Sequence, residues 1–225
     1  MKVTVDAVVF SYHENELKVL LIKRAFEPFL DMFALAGGFL LDDESAEEGV
    51  LRKLKEETNV ELDYLEQLRT FTNVNRDPRE RIISIAYFGL IDPSKHDLIT
   101  NIHAKEVKWF PAYSARYIPL AFDHKEIFNY ALDRLRNKLQ YEPIGFELLP
   151  KYFTMSELWL LYNAILGREL DRRNFNKKIL SYRLLKETTL KSEGGVGKPA
   201  KLYEFNKEKY NELKKTGLNF ELWKV

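Results

Sequence analysis

Between Gly37 and Val60 the chain reads GGFLLDDESAEEGVLRKLKEETNV, and Glu44, Arg52, Lys53, Glu56 and Glu57 are its candidates for chemistry. Ala46, Val50, Leu51 and Leu54 recur at helical spacing, so positions 53, 56 and 57 are expected to share one helix face. Carboxylates gathered on one face can hold divalent cations that neutralise phosphate oxygens and activate water. Lys53 breaks that pattern, because a protonated lysine offers no lone pair to a metal. At an effective dielectric near 20, an ammonium about 4 Å from a dication costs roughly 8 kcal/mol before screening. Lys53 and Glu57 stand four apart and are expected to pair, as are Glu48 and Arg52. Lys53 therefore stands where it would weaken a cation site on this face.

The elements that must position these residues follow from period and punctuation. Val3 to Ser11 and Leu17 to Arg24 read as a β-hairpin around HENE, and Phe33 to Leu41 as a third extended segment. DDES supplies a helix cap before Ser45 to Thr58. Strands follow at Leu65 to Asn75, Arg81 to Ile91 and Glu106 to Phe110, then a helix from Asp123 to Leu139 with Ile127, Ala131, Leu135 and Leu139 on one stripe. This order predicts a mixed sheet flanked by helices. QYEPIGFELLP, with two prolines and a glycine, marks a junction over residues 141–150 between domains at 1–140 and 151–225. Beyond it, Thr154 or Ser156 caps a helix from Met155 to Leu166, Gly167 stops it, and Asp171 caps a second from Arg172 to about Tyr182. Leu184 to Leu190, the loop KSEGGVGKPAK and Leu202 to Phe205 then form a hairpin, followed by a helix from Lys207 to Lys215. Helix, turn, helix and β-hairpin is the order of a winged helix-turn-helix.

Composition narrows the class. Among 225 residues, 45% are hydrophobic and 31% charged, as in a globular protein, and no apolar run reaches the roughly 18 residues of a membrane span. No signal peptide is read at MKVTVDAVVF, so a cytoplasmic location is expected. The absence of cysteine excludes disulfides and thiolate chemistry. The formal charge of +1 hides an asymmetry. Residues 1–150 hold 19 Lys and Arg against 25 Asp and Glu, net −6, whereas residues 151–225 hold 16 against 9, net +7. A polyanion is therefore expected to meet the second part alone. His13, His96, His103 and His124 show no metal-ligand spacing, and His124 reads as a structural residue at a helix start.

Gly38, Glu44, Arg52, Leu54, Glu56, Glu57 and Val60 stand in the register of the Nudix box, G-x5-E-x7-R-E-U-x-E-E-x-G-U with U a bulky aliphatic. The first 140 residues resemble that family, which implies an α/β/α sandwich. Lys53 replaces a Glu and Asn59 a Gly; Asn tolerates the left-handed conformation that Gly supplies. Along nearly its whole length, in NRDPRERIISIAYFGL, IPLAFDHKEI, EPIGFELLPKYFTMSELWLLYNAILGRELDRRNFNKKI and KPAKLYEF, the chain resembles the Nudix-related transcriptional regulators. These join a Nudix domain to a winged helix.

The resemblance implies a ligand-responsive transcription factor: a homodimer on double-stranded operator DNA, controlled by a small-molecule effector. In the second helix of the pair, Phe175, Ile179 and Tyr182 form the buried stripe. Arg172, Arg173, Asn176 and Lys177 are left to face bases, while Lys178, Lys191, Lys198 and Lys201 suit phosphates. The effector expected from the family is ADP-ribose or a pentose, and Lys53 favours the pentose, which needs no metal. Arg24, Arg76, Asp77 and Arg81 are candidates for lining the effector pocket. No cofactor is expected. The alternative is a Mg²⁺-dependent hydrolase of ADP-ribose or another nucleoside diphosphate sugar, with Glu56 and Glu57 as metal ligands.

Overall fold

The structure is a computed structural model that describes residues 1–92, 98–99, 104–192, 199–216 and 220. The chain forms two compact units, 1–134 and 135–225. In the first, β1 (Lys2–His13) and β2 (Glu16–Arg24) make the expected hairpin. Glu14 and Asn15, both at positive φ, form its two-residue turn, as the twist of paired strands requires. The glycine-bearing segment divides into β3 (Phe33–Ala34), which pairs with β2, and β4 (Ala36–Phe39), which pairs with β1. Helix α1 (Ala46–Thr58) follows, then β5 (Tyr64–Phe71), β6 (Ile82–Ile91) and β7 (Ala104–Pro111). The short α2 (Ala112–Ala115) leads to the long α3 (His124–Tyr141).

The sheet is mixed: β1 runs parallel to β6, and the other pairings are antiparallel. Side chains alternate across a strand. Val5, Ala7 and Val9 of β1 accordingly join Val50 and Leu54 of α1 in one apolar layer. Phe10 points the other way, to Phe128 of α3 at 6.3 Å between ring centroids. The α3 stripe Ile127, Ala131, Leu135 and Leu139 is fully buried, as its spacing predicts. Leu51 departs from the expected α1 face: it is exposed, because the buried arc of that helix centres on Val50, Leu54 and Glu57.

In the second unit a 3-10 turn at Phe146–Leu148 precedes α4 (Met155–Leu166), α5 (Arg172–Ser181), β8 (Leu185–Lys191), β9 (Lys201–Phe205) and α6 (Lys207–Thr216). Thr154, not Ser156, caps α4, in a reciprocal capping box with Glu157. Gly167, at φ 68°, ends the helix in the left-handed region that favours glycine. The turn to α5 is held from α4: Trp159 Nε1 donates to the Leu170 carbonyl, and Asn163 Oδ1 accepts the Leu170 N–H, both at 2.9 Å. Among the described residues no helix is long and apolar enough to cross a membrane.

Candidate functional site

A cleft of about 320 Å³ opens in the first unit, between the start of β1, the end of β2, the glycines of β4, the inner face of α1, the loop before β6 and the start of α3. Its geometry begins with Gly37 and Gly38. A Cβ on Gly37 would stand 2.3 Å from the Val5 carbonyl oxygen, and one on Gly38 2.9 Å from Cε of Lys53. Bare backbone therefore lets β4 lie against β1 and lets the lysine stem run along the cleft wall.

On α1 the ion pairs differ from those expected. Glu48 closes the capping box with Ser45 and does not bond Arg52. Arg52 is bound to Glu44, with its Nε at 2.7 Å, and reaches Glu56 at 3.2 Å. Lys53 Nζ pairs with Glu56 Oε2 at 2.9 Å, not with Glu57. The helix turn between positions 53 and 56 leaves Glu56 half-exposed between two cations, whereas Glu57 turns inward and accepts the Gly37 N–H at 3.0 Å. Burial pushes the Glu57 carboxyl up to about 7, against the lowering effects of the Gly37 N–H and of Lys53. The Arg52 bonds hold Glu44 down to about 2.

This donor set does not fit a divalent cation. Lys53 occupies one ligand position, Glu44 and Glu56 are engaged by guanidinium or ammonium groups, and Glu57 is turned inward onto the Gly37 N–H. A cation-binding carboxylate must be ionised and have lone pairs to give. Among the described residues no group of three His, Asp or Glu side chains could hold a metal.

The cleft floor is an ion network. Asp6 of β1 accepts the Ser84 hydroxyl and lies 3.4 Å from Arg76, whose guanidinium grips Asp123 at 2.7 and 2.8 Å. His124 Nδ1 accepts the Leu35 N–H at 2.9 Å, which places the ring proton on Nε2, 3.5 Å from Asp6. Burial holds the imidazole pKa below its ordinary value, in keeping with an accepting Nδ1. His124 is thus the expected helix-start residue and also a cleft residue.

At the mouth, Phe122 sits at φ 54°, a conformation that bulky side chains adopt only where their surroundings impose it. Two guanidinium groups lie on its ring, Arg24 at 4.8 Å and Arg79 at 5.4 Å. Of the four residues expected to line an effector pocket, Arg24, Arg76 and Asp77 line this cleft. Arg81 does not line this cleft; it is exposed and donates to the Thr72 carbonyl at 2.8 Å. Sequence reasoning passed over Arg79, which takes that place and is held by Asp77 at 2.7 and 2.9 Å. The signal was its position two residues after Asp77 in RDPRE. Phe122 carried no sequence signal, since only its backbone angle sets it apart.

In the second unit the outward face of α5 is Arg173, Lys177 and Leu180, spaced i, i+4, i+7 and all exposed. Arg172 is turned to α4, bonded to the Ser156 hydroxyl and 5.5 Å from the Trp159 ring. Asn176 is not on the open face: three residues before buried Ile179, it is half-buried, and its Oδ1 has no hydrogen-bond partner. Lys178 lies over Tyr182 at 5.7 Å, and Lys201 pairs with Glu187 at 2.5 Å. Lys191 is exposed at the end of β8, and Lys198 lies outside the described residues, as do His96 and His103.

Residues 2–131 match the model of the NUDIX domain, and residues 145–205 that of the NrtR DNA-binding winged helix domain. The chain is 34% identical to the ADPR responsive transcriptional repressor NtrR of Acinetobacter baylyi, over 92% of this chain and 83% of that protein. It is similar to Shewanella oneidensis NrtR, whose crystal structure is a complex with a 27mer DNA, at a TM-score of 0.81 and 36% identity over 93% of this chain and 95% of the other. The NUDIX domain of the same Shewanella oneidensis protein, crystallised with ADP ribose, matches with a TM-score of 0.57 and 42% identity, over 60% and 88% of the two chains.

Proposed function

The chain belongs to the family of NrtR-type regulators, a Nudix domain followed by a DNA-binding winged helix, and on that premise we propose that it is an ADP-ribose-responsive transcriptional regulator. The winged helix binds DNA and the Nudix cleft binds the effector. The observation that carries the sensing role is Lys53, bonded to Glu56 where a hydrolytic site needs a free carboxylate. It leaves recognition without the cation cage that cleavage requires.

Of the two effectors the sequence left open, ADP-ribose fits and the pentose does not. The NUDIX domain of Shewanella oneidensis NrtR was crystallised with ADP ribose, and in this cleft the Arg24 guanidinium, which has no carboxylate ion-pair partner among the described residues, suits an anionic diphosphate better than a neutral sugar. Lys53, which pointed to the pentose as the loss of a metal site, is instead a positive charge for an anionic ligand.

On the DNA side, Arg173 and Lys177 head the reading face of α5, and Lys191 and Lys201 of the β8–β9 hairpin suit phosphates. Homodimerisation is part of the proposal, because one short reading helix spans too few base pairs for selectivity and paired half-sites double the contact. The test is a duplex selected by this protein from a random pool, titrated with and without ADP-ribose. The expected result is an affinity change of about tenfold or more, the range of ordinary allosteric coupling. Turnover of ADP-ribose with Mg²⁺ is expected to stay below about 1 s⁻¹, the lower end of ordinary enzymes. Unchanged DNA affinity, or faster turnover, would overturn the reading.

A further inference from the structure

A diphosphate carries about two negative charges at neutral pH, and enzymes that handle one commonly neutralise it with divalent cations. In this cleft the carboxylates that could seat such cations are engaged: Glu44 and Glu56 by Arg52 and Lys53, and Glu57 by the Gly37 N–H. Arg24 is differently placed. Its Nε donates to the Pro28 carbonyl at 2.9 Å and one terminal nitrogen reaches the Phe26 carbonyl at 3.4 Å, so its bonds go to main-chain oxygens. Among the described residues no carboxylate forms an ion pair with it. Arg76 and Arg79, by contrast, are each gripped by an aspartate through two nitrogens.

The Arg24 charge is held in place nonetheless. Its guanidinium rests on Phe122, a ring it shares with Arg79. Burial and the neighbouring Arg79 both lower the Arg24 pKa, so the charged form is maintained at a cost that an anion would relieve. Lys53 comes from the opposite element, α1. Its stem lies along Gly38, and its ion-pair partner among the described residues, Glu56, is also bonded to Arg52. Arg52 is bonded to Glu44 as well, and Lys53, on the cleft wall, gives one ammonium hydrogen to Glu56 and keeps others for a ligand.

We propose that Arg24 and Lys53 take the place of the metal ions, so that this chain binds the diphosphate of its effector without any divalent cation. This rests on the reading of ADP-ribose as effector, and identifies which groups of the cleft determine its selectivity. Lys53 is then a gain of function as a receptor and a loss of function as a hydrolase in one substitution.

Isothermal titration of the full chain with ADP-ribose, in EDTA and in millimolar Mg²⁺, tests it. The wild type is expected to show the same Kd in both buffers within about twofold. Arg24→Gln and Lys53→Gln are each expected to weaken binding about tenfold or more in both, the loss typical of one charge-assisted hydrogen bond. Lys53→Glu is expected to bind poorly in EDTA and to recover with Mg²⁺, since it restores a carboxylate and removes the ammonium. Melting of each variant without nucleotide verifies folding, and if Arg24→Gln does not fold, the buffer dependence of Lys53→Glu decides. Wild-type binding that requires Mg²⁺ overturns the proposal and leaves the effector reading intact. Absence of binding in either buffer overturns the effector reading itself, and the proposal with it.

Discussion

Glu57 illustrates at the scale of one residue how the cleft differs from a metal site. A bound cation would keep this carboxylate ionised; here it is buried, bonded to the Gly37 N–H, and raised to about 7. In the unfolded chain the same group titrates near the ordinary glutamate value of about 4.3. Between those two values the folded state holds the extra proton, so stability is full below the lower value and falls as pH rises toward 7. The span corresponds to about 4 kcal/mol at most. Glu57→Gln keeps an acceptor oxygen for Gly37 and removes the titration. Urea unfolding at pH 5 and pH 8 is expected to show a smaller loss of stability on raising the pH in the variant than in the wild type. An identical pH dependence in both would mean that the carboxyl is hydrated and ionised. The ion pairs of α1 teach a related lesson. Spacing offers Lys53 both Glu56 and Glu57, and burial of the second leaves the first.

Elements were the most legible level, because their ends are written in local chemistry. Ser45 and Thr154 close capping boxes with Glu48 and Glu157, each satisfying helix N–H groups that would otherwise be orphaned. Asn59 ends α1 at φ 60° and donates its N–H to the Lys55 carbonyl. It therefore does what glycine does at the same position of the family pattern. Asn59→Gly is expected to leave stability within about 0.5 kcal/mol, whereas Asn59→Ala is expected to cost about 1 kcal/mol, the penalty of a Cβ in the left-handed region. Thermal melting of the two variants distinguishes them, and equal midpoints would mean that the cap is not strained. The face of α5 was less legible. Arg172 and Asn176 read as outward residues; Arg172 is exposed but bonds back to Ser156 of α4, whereas Asn176, three before Ile179, borders the buried arc.

For the whole molecule, the charge division follows the fold: a net −6 before Pro150 and +7 after it. DNA affinity is accordingly expected to fall steeply with salt, by the release of counterions from phosphates. Arg173→Ala is expected to weaken binding to a selected duplex by about 1–3 kcal/mol and to relax preference at one base position, if its guanidinium reads a guanine edge. Uniform weakening across sequences, with a shallower salt slope, would assign it to a phosphate instead, and unchanged affinity would move the reading face elsewhere. Fluorescence anisotropy over a salt series separates the three outcomes. ADP-ribose affinity is expected to be unaffected by this substitution, since Arg173 belongs to the other compact unit.

What the sequence determined by itself was whatever depends on neighbours in the chain: hairpin, caps, stops, amphipathic stripes and the order that identifies each domain. The register of Gly38, Glu44, Arg52, Glu56 and Glu57 also fixed which helix would wall the cleft. Tertiary structure alone decided which cations remain unspent. Arg24 lies on Phe122, Arg79 lines the cleft where Arg81 does not, and the Glu57 pKa is raised, because residues far apart in sequence enclose them. Desolvation and ion pairing depend on the distances between those residues, and a one-dimensional pattern does not contain them.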